Sequence, residues 1–191
     1  MPFKVCRIDS PSRQDSLPVA VIKDYPLEKR DYKPYAQCTL CVCQGSLLLR
    51  MWAFEALPPP GSVLRAVLSL FADKPGAALC VTLSPDGGAV LSLIKDGEET
   101  ALPPSGDIRL RPYNGEDLQG IYWGGFVTIP QKWLDSLGKT IPLVPGEAFR
   151  GNFYKICKDP KWRHLGSFFP ADFLGDPYLP NSMGEFLLVN Y

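Results

Sequence analysis

Two apolar runs, AALCVTLS (residues 77–84) and AVLSLIK (89–95), flank Pro85-Asp86-Gly87-Gly88, and this arrangement constrains the fold more than any other feature of the chain. Asp-Gly and Gly-Gly tolerate the positive φ that a tight reversal demands, so the two runs are expected to pair as an antiparallel hairpin. QCTLCVC (37–43) and SLLLRMWAF (46–54) flank Gln44-Gly45 in the same manner, and Asp96-Gly97 closes the run 89–95. Strands are also expected at 19–22, 63–71, 108–110, 121–129, 149–157 and 185–190. One helix is expected over 130–138. Pro130 fits its first position, Gly138 fits a left-handed stop, and Trp133, Leu134 and Leu137 form an apolar stripe.

The twenty prolines are roughly twice the usual share, and they lie between the apolar runs rather than in one tract. They mark many loops. Many short strands, frequent turns and almost no helix predict an all-β fold, an antiparallel β-sandwich of jelly-roll or immunoglobulin-like type with one short helix. At 191 residues and 46% hydrophobic content the chain is expected to form a single domain over 1–191.

Lys and Arg together equal Asp and Glu, for a net charge of zero. The expectation is therefore no nucleic-acid partner and no membrane partner, since neither electrostatic footprint is present. No apolar run reaches the length of a membrane span. The amino terminus, MPFKVCRIDS, has no apolar core of a secretory leader, so a cytoplasmic location with reduced thiols is expected for the six cysteines. Cys38 and Cys41 are three residues apart on a strand and should point to opposite faces. They cannot clasp one zinc, and no metal or other cofactor is expected.

Catalytic patterns are sparse. His164 is the only histidine, lies in the expected loop Trp162-Arg163-His164-Leu165, and has no G-x-S-x-G serine to activate. A surface histidine satisfied by neighbours or water is the expected state. No Gly-rich phosphate loop is present. Asp117, Asp135, Asp159, Asp172 and Asp176 are scattered with no paired spacing. The chain is expected not to be an enzyme. Gly124-Gly125 falls inside a strand, where paired glycines mark a bulge or a close backbone approach.

The last third is chemically richer. GIYWGGFVTIP (120–130) is followed by FRGNFYKICKDPKWRHLGSFFPADF (149–173). A flat indole stacks on the apolar face of a pyranose, while guanidinium and amide groups pair with its hydroxyls. Trp123, Arg150, Asn152 and Trp162 are the candidate sugar-binding residues. Arg150 and Asn152 share one strand face, and Trp162 lies on the loop beyond. The competing assignment for Trp52, Trp123 and Trp133 is core.

At these residues the chain resembles the family 9-like carbohydrate-binding modules. The similarity runs from Val19-Ala20-Val21-Ile22 and Lys33-Pro34-Tyr35 through Asp86-Gly87 to the carboxy terminus. It is carried best by Tyr122-Trp123-Gly124 with Ile129-Pro130, by residues 149–155, and by Pro180 with Gly184-Glu185-Phe186. The resemblance implies a β-sandwich whose relatives bind sugars, some between two tryptophans. It therefore implies a non-catalytic module with a mono- or oligosaccharide partner. Two departures stand out. Residues 62–71 lack the family's Trp and acidic groups, and Tyr178-Leu179 replaces its Phe-His. The alternative is a protein–protein interaction module that kept the sandwich and lost the sugar site. A third is an enzyme using Asp and Arg.

Overall fold

The computed structural model describes residues 1–31 and 33–191. Its strands are β1 (Phe3–Ile8), β2 (Ala20–Ile22), β3 (Tyr35–Cys43), β4 (Ser46–Phe54), β5 (Ser62–Ser69), β6 (Ala78–Leu83) and β7 (Ala89–Lys95). Next come β8 (Glu98–Ala101), β9 (Arg109–Asp117), β10 (Gly120–Pro130), β11 (Ala148–Cys157), β12 (His164–Ser167) and β13 (Gly184–Asn190). The helix α1 (Gln131–Leu137) follows β10, and short 3-10 helices span Pro11–Ser16 and Pro180–Ser182. The strands join in one curled sheet of order β8-β7-β6-β5-β11-β13-β1-β3-β4-β10-β9, with β12 beside β11 and β2 beside β3.

The sheet folds back so that its two wings face each other. Leu64, Leu68, Leu79 and Val81 of one wing share a core with Leu47, Leu49, Met51 and Val127 of the other. Alternation explains the division. In β4 the odd positions 47–53 are buried and the even positions 46–54 look outward, half-exposed. Each leucine taken from water contributes about 2 kcal/mol, which fixes the register against a one-residue slip.

The hairpins follow their turn residues. Ala78–Leu83 pairs antiparallel with β7 across the Pro85–Gly88 reversal, with Gly87 at φ 86°. Gln44 and Gly45 both take positive φ, 49° and 71°, between β3 and β4. Asp96 and Gly97 do the same at 52° and 81° and lead into β8, whose Glu-Glu-Thr-Ala sequence has no apolar signal. Gly124 lies in unbroken register between Trp52 and Tyr113, so it is not a bulge. A Cβ there would come within 2.1 Å of the Met51 carbonyl, and the glycine is a close approach.

Two expectations need correction. The sheet is mixed, because β1 runs parallel to both β13 and β3. A tight turn forces antiparallel pairing, but no tight turn joins β1 to either neighbour, and the long connections to β3 and β13 permit the parallel direction. The helix forms where expected, yet Gly138 is extended at φ 161° rather than left-handed. Lys74 Nζ donates to the Leu137 carbonyl and supplies the end-cap instead. β6 buries nearly every side chain, because its second face is covered by the chain around Tyr154 and Met183.

That cover is pinned by Asn152. Its Nδ2 donates to the carbonyls of Phe169 at 2.9 Å and Ser182 at 2.8 Å. Its Oδ1 accepts from the amides of Phe153 at 2.8 Å and Phe169 at 2.9 Å. All four hydrogen-bonding positions of the amide are filled. Asn152→Ala should therefore cost about 3 kcal/mol by leaving buried backbone groups unpaired, and limited proteolysis should cut first within 168–183. An unchanged melting temperature and cleavage pattern would show that the amide does not hold this segment.

Candidate functional site

A buried polar knot joins the two wings where the chain crosses from β4 to β5. Glu55 directly follows β4, Ser62 opens β5, Lys155 points inward from β11, and His164 opens β12. Glu55 Oε2 accepts from Ser62 Oγ at 2.9 Å, Trp123 Nε1 at 3.0 Å and Lys155 Nζ at 3.0 Å. Lys155 also donates to Ser62 Oγ and reaches His164 Nε2 at 3.0 Å. His164 Nδ1 lies 3.0 Å from the Trp162 carbonyl, which places the ring proton on Nδ1 and leaves Nε2 to accept from Lys155. The three ammonium protons thus meet three acceptors. Burial and the adjacent Lys155 charge push the His164 pKa down to about 4, and burial also lowers that of Lys155. His164 is buried rather than on the surface, and its base nitrogen is occupied. The knot is chemically closed.

The four expected sugar-binding residues do not share one surface. Trp123 is only 4% exposed and its N–H is held by Glu55. Asn152 is fully buried at 0% exposure with every polar atom paired. Arg150 is exposed on the same face of β11 and donates to the Met183 carbonyl at 2.7 Å. Trp162 is 45% exposed, with the Lys161 ammonium 4.9 Å from its ring. Strand parity is the reason for the separation. Lys155, which reaches Trp123, points inward from β11, whereas Asn152 and Arg150 point outward from the same strand. A cleft of about 390 Å³ lies near Trp162, lined by Lys158, Arg163, Phe173 and Tyr178.

A larger open surface lies on the outward face of β3, β4, β10 and β9. The register sets residues in rows across it: Tyr35, Phe54, Tyr122; then Gln37, Trp52, Gly124, Tyr113; then Thr39, Arg50, Phe126, Arg111; then Leu48, Thr128, Arg109. The aromatic rings touch along this face, Tyr113 lying 5.1 Å from Phe126 and Phe54 lying 5.6 Å from Tyr122. Arg50 packs over Trp52 at 4.5 Å, and Arg111 packs over Phe126 at 4.5 Å. The rows end in a cleft of about 930 Å³ floored by Leu48, Phe126 and Thr128. The 3-10 helix Pro11–Ser16 forms one wall, tied down by Arg50 to Asp15 at 2.6 Å and by Gln14 to Thr39 at 3.4 Å. Asp107, Arg109 and Arg111 form the other.

Among the described residues no three His, Cys, Asp or Glu side chains gather as a metal site, and no helix is long and apolar enough to cross a membrane. Cys38 joins the inter-wing core while Cys41 packs outward with Cys6 and Cys43, the opposite faces that alternation requires. Glu55, Ser62 and Lys155 escaped the sequence reading. Their one signal is a lysine in FYKIC at the inward parity of Phe153, a position that demands a buried carboxylate. Phe126, Arg109 and Arg111 gave no local signal, since only four-strand register brings them together.

The knot makes stability pH-dependent in a defined direction. A free histidine titrates near 6.5, above the folded value of about 4, so the unfolded chain takes up this proton first. Stability from neutral His164 is complete above pH ~6.5 and lost as the pH falls toward about 4, by at most ~3 kcal/mol. The melting temperature of wild type should drop more steeply across that window than that of His164→Gln, and equal slopes would contradict the buried assignment. Lys155→Met alone should cost about 3–5 kcal/mol by stranding Glu55, and pairing it with Glu55→Gln should recover much of the loss.

No protein-family model and no curated protein matches the chain. Solved structures do. The chain is similar to a candidate carbohydrate-binding protein from Bacteroides uniformis, with a TM-score of 0.76 and 17% identity over 97% of each chain. It is similar also to a family 9 carbohydrate-binding module from Caldicellulosiruptor kristjanssonii. With glucose bound to that module, the TM-score is 0.57 and the identity 13%, over 100% of this chain and 97% of the other. With cellotriose the values are 0.56 and 12%, over 98% and 94%. At these identities the likeness speaks for backbone architecture, end to end: the chain has the fold of the family 9-like carbohydrate-binding modules.

Proposed function

We propose that the chain is a non-catalytic carbohydrate-binding module that takes a mono- or oligosaccharide in the cleft on the outward face of β4, β10 and β9. The observation that carries this reading is the cleft itself. Its floor offers the Phe126 ring beside Leu48 and Thr128, and its walls offer Gln14, Asp15, Arg109 and Arg111. An aromatic ring with guanidinium, carboxylate and amide groups around it is what a pyranose needs, an apolar face to stack on and partners for its hydroxyls. About 930 Å³ lies within the range of small-ligand sites. The shared fold adds weight, because modules with this architecture hold glucose and cellotriose. The non-catalytic part rests on the knot, where the sole imidazole and the buried Lys155 and Glu55 are committed to one another.

Trp162 supports a second placement of the sugar. It is the one exposed ring among the four residues the sequence singles out, beside the smaller cleft of about 390 Å³. Stacking there would leave Lys158 and Arg163 of the cleft lining as the hydroxyl partners, since the Asn152 amide is fully paired internally and Arg150 lies at the far end of β11.

Calorimetric titration with glucose and cellotriose separates the placements. Phe126→Ala should weaken binding at least ~10-fold, the scale of a lost hot-spot contact, and Trp162→Ala should leave it unchanged. Thr128→Trp, which fills the cleft from its floor, should abolish binding while melting like wild type. Loss in Trp162→Ala with retention in both cleft variants would move the site to the 158–163 loop. Absence of binding across a broad glycan array would overturn the carbohydrate reading and favour the interaction module.

A further inference from the structure

The cleft contains three guanidinium groups at or beside its floor, and they are not equivalent. Arg50 is committed, because its Nη1 holds Asp15 at 2.6 Å and its Nε donates to Tyr113 at 3.1 Å. Arg109 and Arg111 are different. They stand two residues apart on β9, facing Thr128 and Phe126 in the register, so both project from the same face of an edge strand. Among the described residues neither has a carboxylate within ion-pair distance or a hydrogen bond to its side chain. Arg111 is held in place by packing over Phe126 at 4.5 Å, which orients its planar fork without consuming any of its donors. The lining carboxylates are Asp15 and Asp107, and Asp15 is already neutralised by Arg50. Two uncommitted cations against one uncommitted carboxylate leave the cleft with a positive surplus on a chain whose net charge is zero.

A neutral sugar uses guanidinium groups as hydrogen-bond donors only. A sugar carboxylate uses them as donors and as charges, and it matches their fork bidentately. From this we infer that the cleft selects acidic sugars, those carrying a carboxylate on the pyranose ring, over their neutral counterparts. The carboxylate would lie between Arg109 and Arg111, with the pyranose ring beside Phe126, whose face Arg111 already covers, and against Leu48 and Thr128. This inference rests on the carbohydrate reading above and adds the class of sugar.

Glucuronate and glucose differ only at the sixth carbon, where one bears a carboxylate and the other a hydroxymethyl group, so they isolate the claim. Calorimetric titration of the full chain at low and high salt should show glucuronate binding at least 10-fold more tightly than glucose at low salt. That advantage should shrink as salt rises. It should vanish in Arg109→Gln/Arg111→Gln, a pair of exposed positions whose replacement should leave the melting temperature unchanged. Equal affinities for the two sugars would overturn the acidic preference and leave the carbohydrate reading standing. So would an advantage that survives the double variant, or acetate competing as well as glucuronate. Failure of both sugars and of their oligosaccharides to bind would overturn the two readings together.

Discussion

The ion pair between Lys155 and Glu55 is the interaction on which the rest of the structure depends. Lys155 has no exposure to solvent, and an ammonium group cannot sit in a core without compensation for its lost hydration. Glu55, Ser62 and His164 give that compensation from three different segments, and Trp123 completes it from the opposite wing. A generic apolar contact between wings would tolerate sliding. Four polar side chains that must each find a particular partner do not. The knot therefore fixes where β4 and β10 lie against β5 and β11, and so the frame on which the outward face is displayed.

That outward face has the opposite chemistry. Its side chains alternate with core residues on the same strands, so the inward Leu47, Leu49, Met51 and Ala53 of β4 leave Arg50, Trp52 and Phe54 outside. Rigid strands carry the candidate site, and only its walls come from connecting segments. The other outer face, over β11, took a different course. The chain from 168 to 183 covers it and Asn152 locks the cover down, leaving little room beyond the small cleft near Trp162. The two outer faces of one sheet are thus unequal, one sealed by its own chain and the other open.

Much of this was legible in the sequence because it is local. Gln44-Gly45, Pro85–Gly88 and Asp96-Gly97 name their reversals through backbone chemistry, and the runs beside them alternate at strand period. β1, β8 and β12 were not legible. β8 is Glu-Glu-Thr-Ala with no buried face, and β12 is four residues long. β1 pairs with strands far away in the chain, so no turn announces it. The site was read least well. Trp123, Asn152 and Arg150 do have the composition of a sugar site, but Trp123 and Asn152 spend their polar atoms inside the protein. The open cleft needs Phe126, Arg111 and Arg50 in one row, and that adjacency exists only once β9, β10 and β4 are in register.

The knot is closed structure, and we propose the outward face as the ligand surface. Amide and indole shifts recorded by NMR during titration with cellotriose test both halves at once. Shifts are expected to cluster at Gln14, Arg109, Arg111, Phe126 and Thr128, with the Trp123 indole N–H, held 3.0 Å from Glu55, unmoved. Shifts centred on Trp123 or on the 158–163 loop, with the β9–β10 face silent, would contradict it.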